Sequence, residues 1–153
     1  LMWLSLLIWV AMPEIKTILG FDFGSKYIGV ALGHTSPAIA QPLTSLTVRN
    51  GEAPWKEIAA LLKIWSPDAL VVGIPLNMDG SEQAITHLAR AFLANLKLRF
   101  HLPSFAVDER LTTVEARARL FAAGGYKALK KKSIDSVAAQ LIVEIWLENR
   151  TYE

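Results

Sequence analysis

Acidic residues at three places along the chain have the types and settings that metal-assisted chemistry needs. Asp22 lies inside an apolar stretch, between Phe21 and Phe23, where an ionised carboxylate is costly unless something pairs with it. Asp108 and Glu109 end the apolar run Ser104-Phe105-Ala106-Val107, and Asp135 opens a long helical pattern at Ser133-Ile134-Asp135-Ser136. Each has an ordinary explanation when taken alone. Asp22 can cap the turn at Gly24-Ser25, Glu109 can pair with Arg110 or Arg117, and Asp135 suits the positive end of a helix dipole. Their combination asks for more. Carboxylates meeting beyond one sheet edge at about 5 Å repel by ~3 kcal/mol per pair at an effective dielectric near 20. A cation offsets that repulsion, and an all-oxygen donor set favours magnesium or manganese over zinc.

Two such cations can activate a water and stabilise the leaving oxygen of a phosphodiester in an in-line displacement. The surrounding residues fit that chemistry. Gly24 permits a phosphate to approach the backbone, and Lys26 stands two residues on. A basic run, Lys127 with Lys130, Lys131 and Lys132, lies just upstream of Asp135, so a basic strip is expected to flank the acids. Read alone, that run is a solvated loop. If its four lysines contact single-stranded phosphates, the salt slope should be about −2.8. Tyr126 offers a ring for stacking on a base, although a loop tyrosine is more often half-buried.

The elements that must position these residues follow from patterning. Residues 17–23 and 27–33 read as two strands joined by a tight Gly-containing turn, and a third strand is expected at 43–48 after a loop rich in Ser, Pro and Ala. Pro54 opens an amphipathic helix that presents Ile58, Leu61, Leu62 and Trp65 on one face, with Pro67 closing it. The continuous apolar run at 69–74 marks a strand covered on both faces. After the turn at 75–81, a second helix is expected over 82–98, with Ile85, Leu88, Ala89 and Phe92 at helical spacing. A fifth strand spans 104–107. Thr112 with Glu115 forms a capping box for a third helix to about residue 122, Gly124-Gly125 breaks it, and Ser133 caps a last helix to about residue 149 with Val137, Leu141, Ile145 and Trp146 inward. The expected architecture is α/β: a mixed five-stranded sheet, three antiparallel strands and then parallel ones, with helices on both faces. Ligands of such sheets sit beyond the strand ends.

Composition narrows the function classes. The chain has 153 residues, 52% of them hydrophobic and 20% charged, which suits one globular domain with a substantial core, expected over 13–153. It contains no cysteine, so disulfides, thiolate metal sites and a cysteine nucleophile are excluded, and its three scattered histidines argue against a zinc cluster. A net charge of +2 is only mildly basic, so any nucleic-acid surface depends on where the lysines and arginines sit. Residues 1–12, LMWLSLLIWVAM, are almost wholly apolar. A membrane span needs about 20 such residues, and a secretory signal would carry a positive start. This extension is expected to lie upstream of a natural start at Met12, the alternative being an extra packing segment, and the protein is expected to be cytoplasmic.

The motifs together resemble one family. Asp22-Phe23-Gly24-Ser25-Lys26 with Gly29-Val30-Ala31, the stretch from Val72 to Ser81, Asp108-Glu109-Arg110-Leu111-Thr112-Thr113, and Ile134-Asp135-Ser136-Val137-Ala138-Ala139 are similar, in this order, to the YqgF family, also called RuvX. The resemblance spans residues 16–149 and implies an RNase H-like fold. It also implies a nuclease that matures the 5′ end of precursor 16S ribosomal RNA, or alternatively a Holliday-junction resolvase. By similarity Asp22, Glu109 and Asp135 fall on the catalytic, metal-binding positions, for magnesium or manganese in a two-metal site. Neighbouring strand residues face opposite ways, so one of Asp108 and Glu109 should enter the site, and Glu109 is expected to be that one. Lys26, Asn77 and Arg110 also match motif positions and are expected to touch substrate or support the acids, alongside Lys130, Lys131 and Lys132. Residues 1–11 have no counterpart in the family, and no role is carried onto His34.

Two rivals use the same elements. The Asp-x-Gly hairpin also resembles the phosphate-binding start of actin-like sugar kinases and chaperone ATPases, but those close two such domains over a nucleotide and this chain has length for one. A non-catalytic nucleic-acid-binding module, or a scaffold on ribosomal precursor, would need the basic strip and not the acids. RNA is the favoured partner over structured DNA, although that choice rests on 2′-hydroxyl contacts that sequence does not place. A resolvase would want a two-fold dimer, with Trp9 or Trp146 as candidate contact residues only if the N-terminal segment is part of the protein, and monomer and homodimer both stay open.

Overall fold

In the computed structural model, the structure describes residues 14–111, Ala118, Ala122 and 131–150. The apolar extension, Tyr126, Lys127, Lys130 and most of the expected third helix lie outside the described residues.

Strand β1 (Thr17–Phe23) pairs antiparallel with β2 (Tyr27–Thr35), which pairs antiparallel with β3 (Ala38–Thr47). On its other side β1 pairs parallel with β4 (Ala69–Ile74), and β4 with β5 (Ser104–Asp108), giving the order β3-β2-β1-β4-β5. The helices are α1 (Trp55–Trp65), α2 (Ala84–Phe100) and α3 (Lys131–Arg150). A 3-10 turn, Glu109–Leu111, ends β5. This is the expected mixed sheet, with α1 and α2 on one face and α3 on the other.

The alternation of large and small side chains sorts the helices. In β2 the larger residues Ile28, Val30 and Leu32 face the α1/α2 core, whereas Gly29, Ala31 and Gly33 face α3. The small face lets α3 lie close, with Ala139 and Val143 against Gly20 of β1. On the opposite face Phe92 of α2 meets Phe21 edge-on and stacks on Trp55 at 5.6 Å.

Four expectations are corrected. β3 begins at Ala38, not near residue 43, and its pairing shifts between Val30 and Ala31, so that Leu43 is the extra residue. As an edge strand β3 tolerates Pro42, which has no N–H to give a ladder, and this tolerance makes the segment read as a loop. In α1, Trp65 is 37% exposed and does not join Ile58 in the core. In α2, Leu88 is 50% exposed, and the inward stripe runs through Ala89, Phe92, Leu93 and Leu96. Finally, Lys131 and Lys132, ahead of the expected Ser133 cap, already belong to α3.

Candidate active site

The pleat of β1 decides which way Asp22 looks. Leu19 and Phe21 belong to the α1/α2 core, while Ile18 and Gly20 face α3, so Asp22 continues the α3 face at the end of the strand. Its ladder partner on β2 is Gly29, whose partner on β3 is Ser45. On the other side Phe21 pairs with Val72, which sets Gly73 of β4 beside Asp22. A row thus crosses the sheet as Ser45, Gly29, Asp22, Gly73, with adjacent strands about 4.8 Å apart.

The two glycines in this row are where the other acids arrive. A Cβ at Gly29 would overlap the carbonyl carbon and oxygen of Asp135, so α3 brings Asp135 directly onto β2 beside Asp22. A Cβ at Gly73 would meet the Ile142 side chain of α3 and lie 3.1 Å from Oε1 of Glu109. Glu109 therefore folds back over β4 on the α3 face. Asp22, Glu109 and Asp135 share one face and one end of the sheet, each partly buried.

Asp108 faces elsewhere. It holds Arg110, whose Nη2 donates to Oδ2 at 2.7 Å and whose Nε and backbone N–H both donate to Oδ1, at 3.1 and 2.9 Å. These bonds hold the Asp108 carboxyl below its ordinary range, against the opposing effect of partial burial, and raise Arg110 in turn. The Nη1 of Arg110 lies 3.5 Å from the carbonyl oxygen of Met78, which ties β5 to the loop after β4.

The remaining predicted residues fall around this edge. The exposed Asn77 donates from Nδ2 to Ser81 Oγ at 2.9 Å, and its backbone pairs with Ser81 and Gly80. Asp79 accepts from the Ser81 hydroxyl and N–H, bonds that hold its carboxyl low. Asn77 thus shapes the loop, and Thr86 anchors that loop by donating to the carbonyl of Pro75. Lys26 is exposed in the β1–β2 turn, where its carbonyl accepts the Val48 N–H at 2.8 Å. Lys131 and Lys132 occupy the first turn of α3, one turn before Asp135, and Lys130 lies outside the described residues.

Sequence reading missed the parts played by Gly29 and Gly73, and missed Ser45 altogether. Only the alternation of large and small residues in β2 hinted that one face would be approached closely. The carboxylate-only donor set suits a hard divalent cation, and the glycine positions let two of the acids come down beside the third. Among the described residues no three His, Asp or Glu side chains close into a finished coordination cluster. The fit is therefore one of donor chemistry and placement. No described helix is long and apolar enough to cross a membrane.

Comparison with known proteins bears on the family and the fold. The sequence profile of the RuvX family, described as Holliday junction resolvase, matches residues 16–149. The chain is 54% identical over 134 residues to a Shewanella oneidensis protein named "Putative pre-16S rRNA nuclease", covering 88% of this chain and 95% of that one. A protein of the same name from Aeromonas salmonicida is 54% identical over 135 residues, with 88% and 96% covered. In three dimensions the fold is similar to Thermus thermophilus RuvC, with a TM-score of 0.56 at 14% identity over 90% of this chain and 97% of that one. The profile match and the two relatives, each spanning nearly the whole described fold, establish that the chain belongs to the RuvX family.

Proposed function

We propose that this protein is a metal-dependent nuclease that hydrolyses phosphodiester bonds in the cytoplasm and processes the 5′ end of precursor 16S ribosomal RNA. The observation that carries the reading is the row across the sheet, in which the Asp135 peptide and the Glu109 carboxylate reach the α3 face through two Cβ-less positions on either side of Asp22. Three carboxylates so placed repel one another, and divalent cations relieve that repulsion. The relatives' names supply the substrate class.

Asp22, central in the row, with Glu109 on the β4 side and Asp135 on the β2 side, would hold the two magnesium or manganese ions. Bound there, the ions supply an activated water and stabilise charge on the leaving oxygen. The protein's own part is to hold these three side chains on rigid strand and helix backbone. Asp108 keeps Arg110 over the loop after β4, where its guanidinium stays about one third exposed and available to a phosphate. Lys26 and the lysines leading into α3 would bind the backbone of the strand to be cut, and no protein nucleophile is required. One protomer suffices for trimming an RNA end.

The test is cleavage of labelled precursor ribosomal RNA and of a four-way DNA junction side by side, with magnesium or manganese. Cutting of the RNA that disappears with Asp22→Asn is the expected result. Cutting of the junction alone would move the activity to the resolvase that the family description names. Binding without cutting, equal in wild type and variant, would make the protein a non-catalytic nucleic-acid-binding module.

A further inference from the structure

Ser45 is the member of the row to which the proposed chemistry gives no task. Its Oγ is buried and has no hydrogen-bond partner, a costly state for a hydroxyl. Its neighbour Leu46 belongs to the α1/α2 core, so Ser45 projects toward α3. Ser45 stands directly opposite Gly29 in the ladder, and the Asp135 peptide takes the space where a Gly29 side chain would be. The Oδ2 of Asp135 is also shielded from solvent. A hydroxyl able to rotate and donate thus stands one ladder position from the point where Asp135 comes down onto β2.

We propose that Ser45 is a positioning residue for Asp135. When a divalent cation occupies the site, the Ser45 hydroxyl turns to donate to the Asp135 carboxylate and holds it toward the row. The inference rests on the metal-dependent reading above. Carboxylates that ligate metals are themselves held by hydrogen bonds, and losing such a partner typically costs about 10–100-fold in metal affinity.

The experiment measures Mn2+ binding by calorimetry on the full chain, for wild type, Ser45→Ala and Ser45→Thr, with thermal midpoints recorded in chelator and in Mn2+. Ser45→Ala should bind Mn2+ about 10–100-fold more weakly, and Ser45→Thr, which keeps the hydroxyl, should recover most of that loss. In chelator the Ser45→Ala midpoint should not fall, because only an unpartnered hydroxyl has been removed, whereas its gain on adding Mn2+ should be smaller than that of wild type. Unchanged Mn2+ affinity in Ser45→Ala would overturn the inference and leave the metal-dependent reading intact. So would an equal fall in midpoint with and without Mn2+, which marks a purely structural serine. A wild-type chain that binds no Mn2+ would remove both.

Discussion

Gly29→Ala adds one methyl group at the position where, among the described glycines, a Cβ would come nearest to a neighbouring atom. The atoms it meets are the carbonyl carbon and oxygen of Asp135, which are helix backbone and cannot swing aside. To restore ordinary contact, the start of α3 must lift from β2 by about 1 Å or more, and overpacking of this kind costs about 1–3 kcal/mol. At about 2–4 °C per kcal/mol for a chain of this size, the melting midpoint should drop by about 2–12 °C. A displacement of about 1 Å in a positioned catalytic group costs about 100-fold in rate. Circular-dichroism melts paired with single-turnover cleavage in saturating Mg2+, at a temperature where the variant remains folded, separate the two effects. Gly73→Ala is the comparison, because its methyl meets the rotatable Ile142 side chain and Oε1 of Glu109 at 3.1 Å. It should cost less stability while still slowing cleavage. A Gly29→Ala protein that melts and cuts like wild type would refute the close approach of Asp135. One that is destabilised but cuts at the wild-type rate would refute its part in the chemistry.

Other expectations follow from the charged groups. Asp68 accepts the N–H groups of Lys16 and Thr17 at 2.8 and 3.0 Å, bonds that hold its carboxyl below the ordinary 3.8, and Arg110 does the same for Asp108. Depressed folded values contribute stability above the unfolded values, which is lost as pH falls through the folded ones. Urea midpoints followed downward from about pH 7 should therefore fall below about pH 4, and Asp68→Asn with Asp108→Asn should flatten that fall; an unchanged profile would contradict the pairing. If Lys127, Lys130, Lys131 and Lys132 each neutralise a phosphate, replacing the last three with alanine should make the single-strand salt slope shallower by about 2.1. Filter binding across a salt series reads this directly, and a slope that does not move would place the contacts elsewhere.

The hairpin and β4 were legible because their patterns are local: a turn between two apolar runs, and an unbroken apolar strand. The start of β3 was not legible, since Pro42 reads as a loop signal unless the strand is known to be an edge. Leu88 and Trp65 have helical spacing, but the phase of the buried stripe is set by what α1 and α2 lie against. The acids were legible as unusual residues at strand and helix ends. The end of β5 then separates Asp108, bound to Arg110, from Glu109, which opens the 3-10 turn and bends over Gly73. Ser45 and the role of Gly29 were beyond reach, because both depend on the register of β3 and on where α3 crosses β2, which no local pattern encodes.

The most direct test compares four single substitutions in one cleavage assay at saturating Mg2+: Asp22→Asn, Glu109→Gln, Asp135→Asn and Asp108→Asn. Removing a group that stabilises charge in the transition state costs about 10²–10³-fold. The first three should each lose at least about that much, whereas Asp108→Asn, which loosens only Arg110 and its loop, should stay within about tenfold of wild type. Full activity in Glu109→Gln beside an inactive Asp108→Asn would contradict the assignment of the α3 face as the site of chemistry.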